Sequence, residues 1–112
     1  MLIYKLVSRS AWAETATSGR FEGAAIDIAD GFIHFSTADT VRETAARHFQ
    51  GHDDLLIVAV EADRLGPALK WEVSRGGALF PHLYGPLETA GVSWVRPLPL
   101  GPGGHLFPDE LA

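Results

Sequence analysis

Runs and alternations of hydrophobic residues predict the strands of this chain. Residues 55–60 form a continuous apolar run, which is typical of a strand that is buried on both faces. Residues 69–73 alternate, and we expect Leu69, Trp71 and Val73 to face the core, with the polar residues between them on the opposite face. Further strands are predicted at residues 2–7, 32–35 and 92–96.

Helical periodicity predicts one main helix, at residues 38–49. Its buried stripe recurs at four-residue steps and consists of Val41, Ala45 and Phe49. Ser36 or Thr37 is the expected N-cap, because either hydroxyl can accept a hydrogen bond from a backbone amide of the first turn. A short helix is predicted at residues 11–16 and is expected to end at Gly19.

Three segments lack a regular pattern. Residues 20–29 show no clear periodicity and are predicted to form a loop, with a short extended piece at residues 25–28 as an open alternative. Residues 80–86 are aromatic but contain two prolines, which predicts an irregular or edge segment. The tail from Pro97 is rich in proline and glycine and is expected to extend over the surface. Together the elements predict a single α+β domain over residues 1–112: a mixed or antiparallel sheet of five to six strands, one main helix and one or two short helices.

Composition narrows the functional classes. The 112 residues suffice for one core without metals or disulfides, and the chain has no cysteine for a thiolate nucleophile or a zinc site. A net charge of −5 argues against an extended nucleic-acid surface, while local basic residues can still bind a small anionic ligand. No apolar run approaches the roughly 20 residues of a membrane span, and we expect a cytoplasmic protein without membrane contact.

The first candidate site residue follows a predicted turn at Asp30-Gly31. The strand after this turn places Phe32, His34 and Ser36 on one face. An imidazole beside an aromatic ring and a hydroxyl, close to a helix start, can line a ligand cleft. The alternative is a histidine that is hydrogen-bonded locally at a strand end, and the pattern alone leaves both open.

A second group of candidates follows in the later strands. Glu72 is expected on the polar face of its strand, where it either contacts a ligand or forms a solvated pair with a neighbouring basic residue. Arg75, next to two glycines, can bind a phosphate. His82 and Tyr84 share a face if their segment is extended, and they form either a ligand-binding wall or an aromatic plug over the end of the sheet.

The histidines show no spacing that is diagnostic of a metal site. His48 and His52 are four residues apart, but Gly51 interrupts the helix between them. We therefore predict no metal.

Several motifs together resemble a small bacterial family of domains of unknown function, family 952. The motifs are Leu2-Ile-Tyr-Lys, Phe21-Glu-Gly, Asp30-Gly-Phe-Ile-His-Phe-Ser-Thr, Leu69-Lys-Trp-Glu and Phe80-Pro-His-Leu-Tyr-Gly-Pro-Leu, which span most of the chain. The resemblance implies an ADP-ribosylation-like fold, related to the ADP-ribosyltransferases and their tRNA 2′-phosphotransferase branch. Those proteins bind NAD or an ADP-ribosylated intermediate in a cleft between two small sheets.

The resemblance also implies roles for the candidate residues. Glu72 is the implied catalytic carboxylate, which binds a ribose hydroxyl and stabilises an oxocarbenium-like transition state, with His34 as a second catalytic candidate. The implied residues for binding NAD or a related nucleotide are His34, Ser36, Thr37, Arg75, Phe80, His82 and Tyr84.

The implied function is an NAD- or ADP-ribosyl-compound-binding domain that transfers ADP-ribose or removes a 2′-phosphate. Its partner is then a small nucleotide-like ligand. Two alternatives remain open: a non-catalytic ligand-binding module, and a protein-interaction module that docks an unidentified partner through residues 80–84.

Overall fold

The computed structural model describes residues 1–111, with every side chain except that of Arg75. Its strands are β1 Leu2–Ser8, β2 Arg20–Phe21, β3 Ile33–His34, β4 Leu55–Glu61, β5 Leu69–Val73, β6 Leu79–Leu83, β7 Leu87–Glu88, β8 Val92–Leu98, β9 Leu100–Gly101 and β10 Gly104–His105. Its α-helices are α1 Arg9–Ala13, α2 Thr15–Ser18, α3 Ala25–Asp30 and α4 Val41–His48, and short 3₁₀ turns join some of these elements.

A three-stranded sheet forms the centre of the core, with β4 between β1 and β8. Residues 55–60 of β4 are all buried, which confirms the prediction of a strand covered on both faces. Its alternate side chains enter two separate clusters: Val58 and Val60 pack on one side, and Ile57 and Ala59 on the other. The second cluster also contains α4, so the sheet separates two apolar layers.

A second sheet, in the order β3-β6-β5, carries most of the candidate site residues. His34 is paired with His82, which is paired in turn with Lys70. Tyr4 and Ser36 join the two sheets, because the backbone N–H of each donates to the carbonyl of the other at 2.8 Å. All strand pairs among residues 1–111 are antiparallel, which confirms the α+β class. The predicted single sheet of five to six strands is wrong, because the described strands form two three-stranded and two two-stranded sheets.

The main helix starts later than predicted. Thr40, not Ser36 or Thr37, occupies the N-cap position of α4, and the Val41 N–H donates to the Thr37 carbonyl at 3.0 Å. The Ser36 hydroxyl instead lies 3.0 Å from the hydroxyl of Thr44. The predicted stripe is buried at Val41 and Ala45 and half-buried at Phe49.

Residues 20–29 were expected to form a loop, and this prediction is wrong, since the segment contains β2 and most of α3. The alternative of an extended piece at residues 25–28 is wrong too, because these residues are helical. Helical periodicity did not indicate α3, because Ile26 and Ile28 are 59% and 67% exposed and therefore do not mark the buried face of this helix. The buried residue of α3 is Asp27, whose Oδ2 accepts a hydrogen bond from the Ala24 N–H at 2.8 Å and so caps the first turn. With α1 and α2, the described chain has three short α-helices, where one or two were predicted.

The inward face of β5 was also predicted wrongly. Leu69 packs against the core, but Trp71 is 39% exposed and Val73 is 70% exposed. β5 is the edge strand of its sheet, and neither Trp71 nor Val73 belongs to either apolar cluster of the core.

β6 lies in the middle of its sheet, so the prediction of an irregular or edge segment is wrong for residues 80–83. Proline is accommodated because the ladder with β3 ends at His82, and Pro81 then supplies only its carbonyl, which accepts the Phe35 N–H at 3.0 Å. The tail after β8 forms the short β9–β10 hairpin. None of the helices in the described chain is long and apolar enough to span a bilayer.

Candidate ligand-binding and active site

The second sheet gathers two histidines, a glutamate and two aromatic residues on one face. We call this group the two-histidine cluster; its members are Phe32, His34, Glu72, His82 and Tyr84. The imidazole rings of the directly paired His34 and His82 are 5.7 Å apart between centroids. Register and strand alternation therefore bring together four of the residues that the sequence suggested as site residues.

Each histidine is held by a carboxylate on its Nδ1. His34 Nδ1 lies 2.6 Å from Oδ1 of Asp27, and His82 Nδ1 lies 2.7 Å from Oε1 of Glu72. The Nε2 atoms differ: that of His34 lies 2.9 Å from Oδ2 of Asp30, while among the described residues none is hydrogen-bonded to Nε2 of His82. Two carboxylate-anchored imidazoles on neighbouring strands can supply or accept protons and can bind ligand hydroxyls.

Gly31 determines how His34 reaches this position. It ends α3 with φ +87°, a left-handed conformation that glycine adopts without strain, and its N–H donates to the carbonyl of Asp27. The chain then reverses into β3, which places His34 against the helix it has just left. The predicted turn at Asp30-Gly31 is confirmed.

Asp27 is a carboxylate inside the core, with 1% of its surface exposed. Burial raises the pKa of Asp27, but hydrogen bonds from the ring and backbone of His34 and the charge of Lys5 outweigh it and lower the pKa to about 2. Asp27 is therefore an anion at any physiological pH. Lys5 Nζ lies 2.8 Å from Oδ1, and burial lowers the pKa of this lysine despite the partner charge.

Glu72 accepts two hydrogen bonds on the same oxygen. The Tyr84 hydroxyl and His82 Nδ1 both lie 2.7 Å from Oε1, and they lower the pKa of Glu72. The hydrogen bond to this carboxylate in turn raises the pKa of Tyr84, so the phenol keeps its proton. Glu72 is thus an oriented anion near the sheet edge, with its second oxygen not hydrogen-bonded to any described residue.

Phe32 covers the two imidazoles. Its ring is stacked on His82 with centroids 4.1 Å apart, is tilted against His34 at 4.6 Å and lies 5.2 Å from the ring of Tyr84. An open pocket of about 290 Å³ borders it. The pocket is lined by Glu22, Asp27, Ile28, Gly31, Phe32, Ile33, Leu83, Gly85 and Pro86.

The other predicted ligand residues whose side chains are described do not belong to the two-histidine cluster; they are Ser36, Thr37 and Phe80. Ser36 is 4% exposed and paired with Thr44, and the Thr37 hydroxyl lies 3.1 Å from that of Thr40. Phe80 is 6% exposed inside β6. The side chain of Arg75 lies outside the part of the structure that is described. Residues 80–83 as a whole are largely buried, and of the segment proposed to dock a partner, Tyr84 is exposed.

Sequence reasoning missed three residues of the site: Lys5, Asp27 and Asp30. Lys5 interrupts an otherwise apolar strand, and a buried lysine requires an anionic partner. That interruption was the available signal for a buried ion pair. No pattern in the sequence identified Asp27 as the partner of Lys5, because residues 20–29 show no helical periodicity.

The comparisons with known proteins identify the family. The chain belongs to a family described as protein of unknown function (DUF952), whose family model matches residues 6–95. It is similar to the crystal structure of protein CC0527 from Caulobacter crescentus, with 50% identity over 99% of this chain and 98% of that chain and a TM-score of 0.94. The solution NMR structure of CC0527 is similar too, with 52% identity over 93% of this chain and 90% of that chain and a TM-score of 0.83. No curated protein matches.

Proposed function

We propose that the two-histidine cluster binds NAD or a related ADP-ribosyl compound. The observation that carries this proposal is Glu72, an anion oriented by Tyr84 and His82 beside a second anchored imidazole. A fixed carboxylate next to aromatic rings suits a ribose whose anomeric carbon gains positive charge. The resemblance to the ADP-ribosyltransferases supports the same choice of ligand by analogy.

The geometry suggests a division of roles. Glu72 accepts a ribose hydroxyl on its second oxygen and stabilises the oxocarbenium-like centre by charge. Ribose hydroxyls donate to Nε2 of His34 and of His82, because the carboxylates at Nδ1 leave Nε2 as the acceptor of each neutral ring. Phe32 and Tyr84 offer ring faces for stacking, a role in which Phe32 replaces the buried Phe80. The open pocket of about 290 Å³ shares Phe32 with the cluster but is not lined by Glu72 or by either histidine, so in this proposal it holds a part of the ligand other than the ribose.

The proposed reaction is transfer of ADP-ribose. The bond between nicotinamide and ribose breaks with both electrons leaving on nicotinamide, and an acceptor oxygen or nitrogen then attacks the anomeric carbon and loses its proton. Removal of a 2′-phosphate through an ADP-ribosylated intermediate uses the same first step.

Binding is tested by calorimetry with NAD, ADP-ribose and nicotinamide. We expect NAD and ADP-ribose to bind the wild-type protein, and His34→Ala to weaken them about tenfold or more, because a charged or oriented hydrogen bond is lost. His52→Ala is the matched control, since His52 is an exposed loop histidine whose ring packs against Phe49. Equal affinities in wild type and His34→Ala would place the ligand elsewhere and end the assignment.

Turnover is tested by nicotinamide release from NAD. Glu72→Gln keeps the shape but loses the charge, so we expect binding within a few-fold of wild type and release slower by about 100-fold or more. Glu88→Gln, at another exposed strand glutamate, should leave release unchanged. NAD binding without nicotinamide release in the wild type would identify a non-catalytic binding module instead.

A further inference from the structure

Lys5 and Asp27 form an ion pair that is almost completely removed from solvent. Lys5 lies in the middle of β1 with 4% of its surface exposed, Asp27 lies in α3 with 1% exposed, and Nζ and Oδ1 are 2.8 Å apart. A buried ion pair contributes little to stability compared with apolar residues of similar volume, because both charges lose their hydration. Its presence therefore calls for a role beyond stability.

The Asp27 carboxylate accepts hydrogen bonds on both of its oxygens. Oδ1 accepts the Lys5 ammonium and the backbone N–H of His34, and Oδ2 accepts the backbone N–H of Ala24. Because Asp27 is ionised and accepts on both oxygens, the ring atom of His34 that lies 2.6 Å away has to be the donor. The proton of a neutral His34 is thereby fixed on Nδ1.

Fixing the proton on Nδ1 leaves Nε2 as the exchangeable nitrogen of His34. Nε2 lies 2.9 Å from Oδ2 of Asp30, which competes for the same proton, but water weakens this contact because the Asp30 side chain is 45% exposed. The contact of Nδ1 with the buried Asp27 is shorter, at 2.6 Å, and is not screened by water. The exposed Asp30 side chain can also turn away and give a ligand access to Nε2. Glu72 imposes the same orientation on His82, again through Nδ1. The two rings therefore present the same nitrogen, although their carboxylates come from different parts of the fold.

We propose that Lys5 and Asp27 are positioning residues for His34: the lysine holds the carboxylate, and the carboxylate fixes the imidazole tautomer that presents Nε2 to the ligand. The proposal rests on the proposed function for the identity of that ligand. The tautomer itself is a property of the ligand-free protein, so it is measured without reference to NAD.

The test separates positioning from stability with single and double variants. Asp27→Asn leaves the Lys5 charge buried without its partner, and Lys5→Met leaves the aspartate without its cation, so both single variants should unfold at lower urea concentration than the wild type. The double variant K5M/D27N removes both charges and should recover much of the lost stability. In K5M/D27N an amide replaces the carboxylate at residue 27. An amide can present either a donor or an acceptor to Nδ1 of His34, so it does not fix the tautomer of this ring.

The decisive measurement is the ¹⁵N NMR spectrum of the His34 ring, recorded at alkaline pH because the two tautomers are forms of the neutral imidazole. We expect the proton on Nδ1 in the wild type and a substantial population with the proton on Nε2 in K5M/D27N. The His82 ring, anchored by Glu72, should show the Nδ1–H form in both proteins and is the internal control.

Ligand affinity supplies the second readout. If ADP-ribose binds the wild type, K5M/D27N should bind it about tenfold or more weakly, the usual effect of losing a group that orients a binding imidazole. A wild-type His34 with its proton on Nε2, or a folded double variant that keeps the Nδ1–H form, would overturn the positioning role. Absence of ADP-ribose binding by the wild type would count against the proposed function alone, because the tautomer result decides this proposal separately.

Discussion

At the scale of single residues, Gly23 makes room for Asp27. A Cβ at residue 23 would lie 2.9 Å from the Cβ of Asp27, and Gly23 has φ +119°, which other residues rarely adopt. We expect Gly23→Ala to destabilise the fold by about 1–3 kcal/mol in urea unfolding, through backbone strain and displacement of the carboxylate. Gly103→Ala is the matched control, because a Cβ there meets no atom within 4 Å. Equal unfolding midpoints for the two variants would contradict this role of Gly23.

The ionised state of Asp27 predicts how stability depends on pH. Its pKa falls from an ordinary 3.8 to about 2 on folding, which corresponds to a stabilisation of roughly 2–3 kcal/mol. Because the folded pKa is the lower one, this stabilisation is fully present above about pH 4 and is lost as the pH falls toward 2. Urea unfolding of the wild type between pH 5 and 2 should show the loss.

The Asp27→Asn variant is the reference for that pH series. Its stability should fall less steeply over the same range, since its remaining carboxyl groups, such as Glu72, still titrate. Parallel pH profiles for the two proteins would mean that the carboxyl of Asp27 titrates alike in the folded and unfolded chains.

At the scale of elements, substitution of valine by threonine should affect the free energy of unfolding differently in two strands. Val58 in β4 is fully buried, whereas Val73 in β5 is 70% exposed. We expect Val58→Thr to destabilise by about 1–3 kcal/mol, because it buries a hydroxyl among apolar atoms. Val73→Thr should stay within about 0.5 kcal/mol of wild type. Chemical denaturation of both proteins checks the contrast, and a large loss in Val73→Thr would mean that this face is covered in solution.

The sequence predicted elements well where burial and periodicity agree. The apolar run of β4 identified a buried central strand, and Gly19 ends α2 in the left-handed conformation expected of it. Prediction failed where a polar residue does the packing, as Asp27 does in α3, whose neighbouring isoleucines face solvent. It failed again at β5, because alternation fixes which residues share a face but not how far the core extends along a strand.

At the scale of the whole molecule, the site depends on contacts between residues that are distant in the chain. Alternation correctly brought Phe32 and His34 together, but Ser36, predicted on the same face, is buried with its hydroxyl against Thr44. The turn between β5 and β6 brings Glu72 to His82. The approach of β1, which supplies Lys5, follows from sheet topology that no local pattern encodes. This explains why the exposed half of the site was predictable and its buried anchor was not.

The link between the two sheets predicts how the molecule unfolds. Tyr4 and Ser36 are each 4% exposed, and their two backbone hydrogen bonds tie β1 to the strand that carries His34. We expect both amides to exchange with deuterium as slowly as those of β4, because breaking them requires global unfolding. The β9–β10 hairpin, paired over two residues, should exchange faster through local opening. Native-state exchange measured by NMR distinguishes the cases: a Ser36 amide that exchanges about 100-fold faster than β4 would mean that the second sheet opens on its own. Slow exchange at Ser36 would instead mean that the two-histidine cluster keeps its geometry until the whole core unfolds.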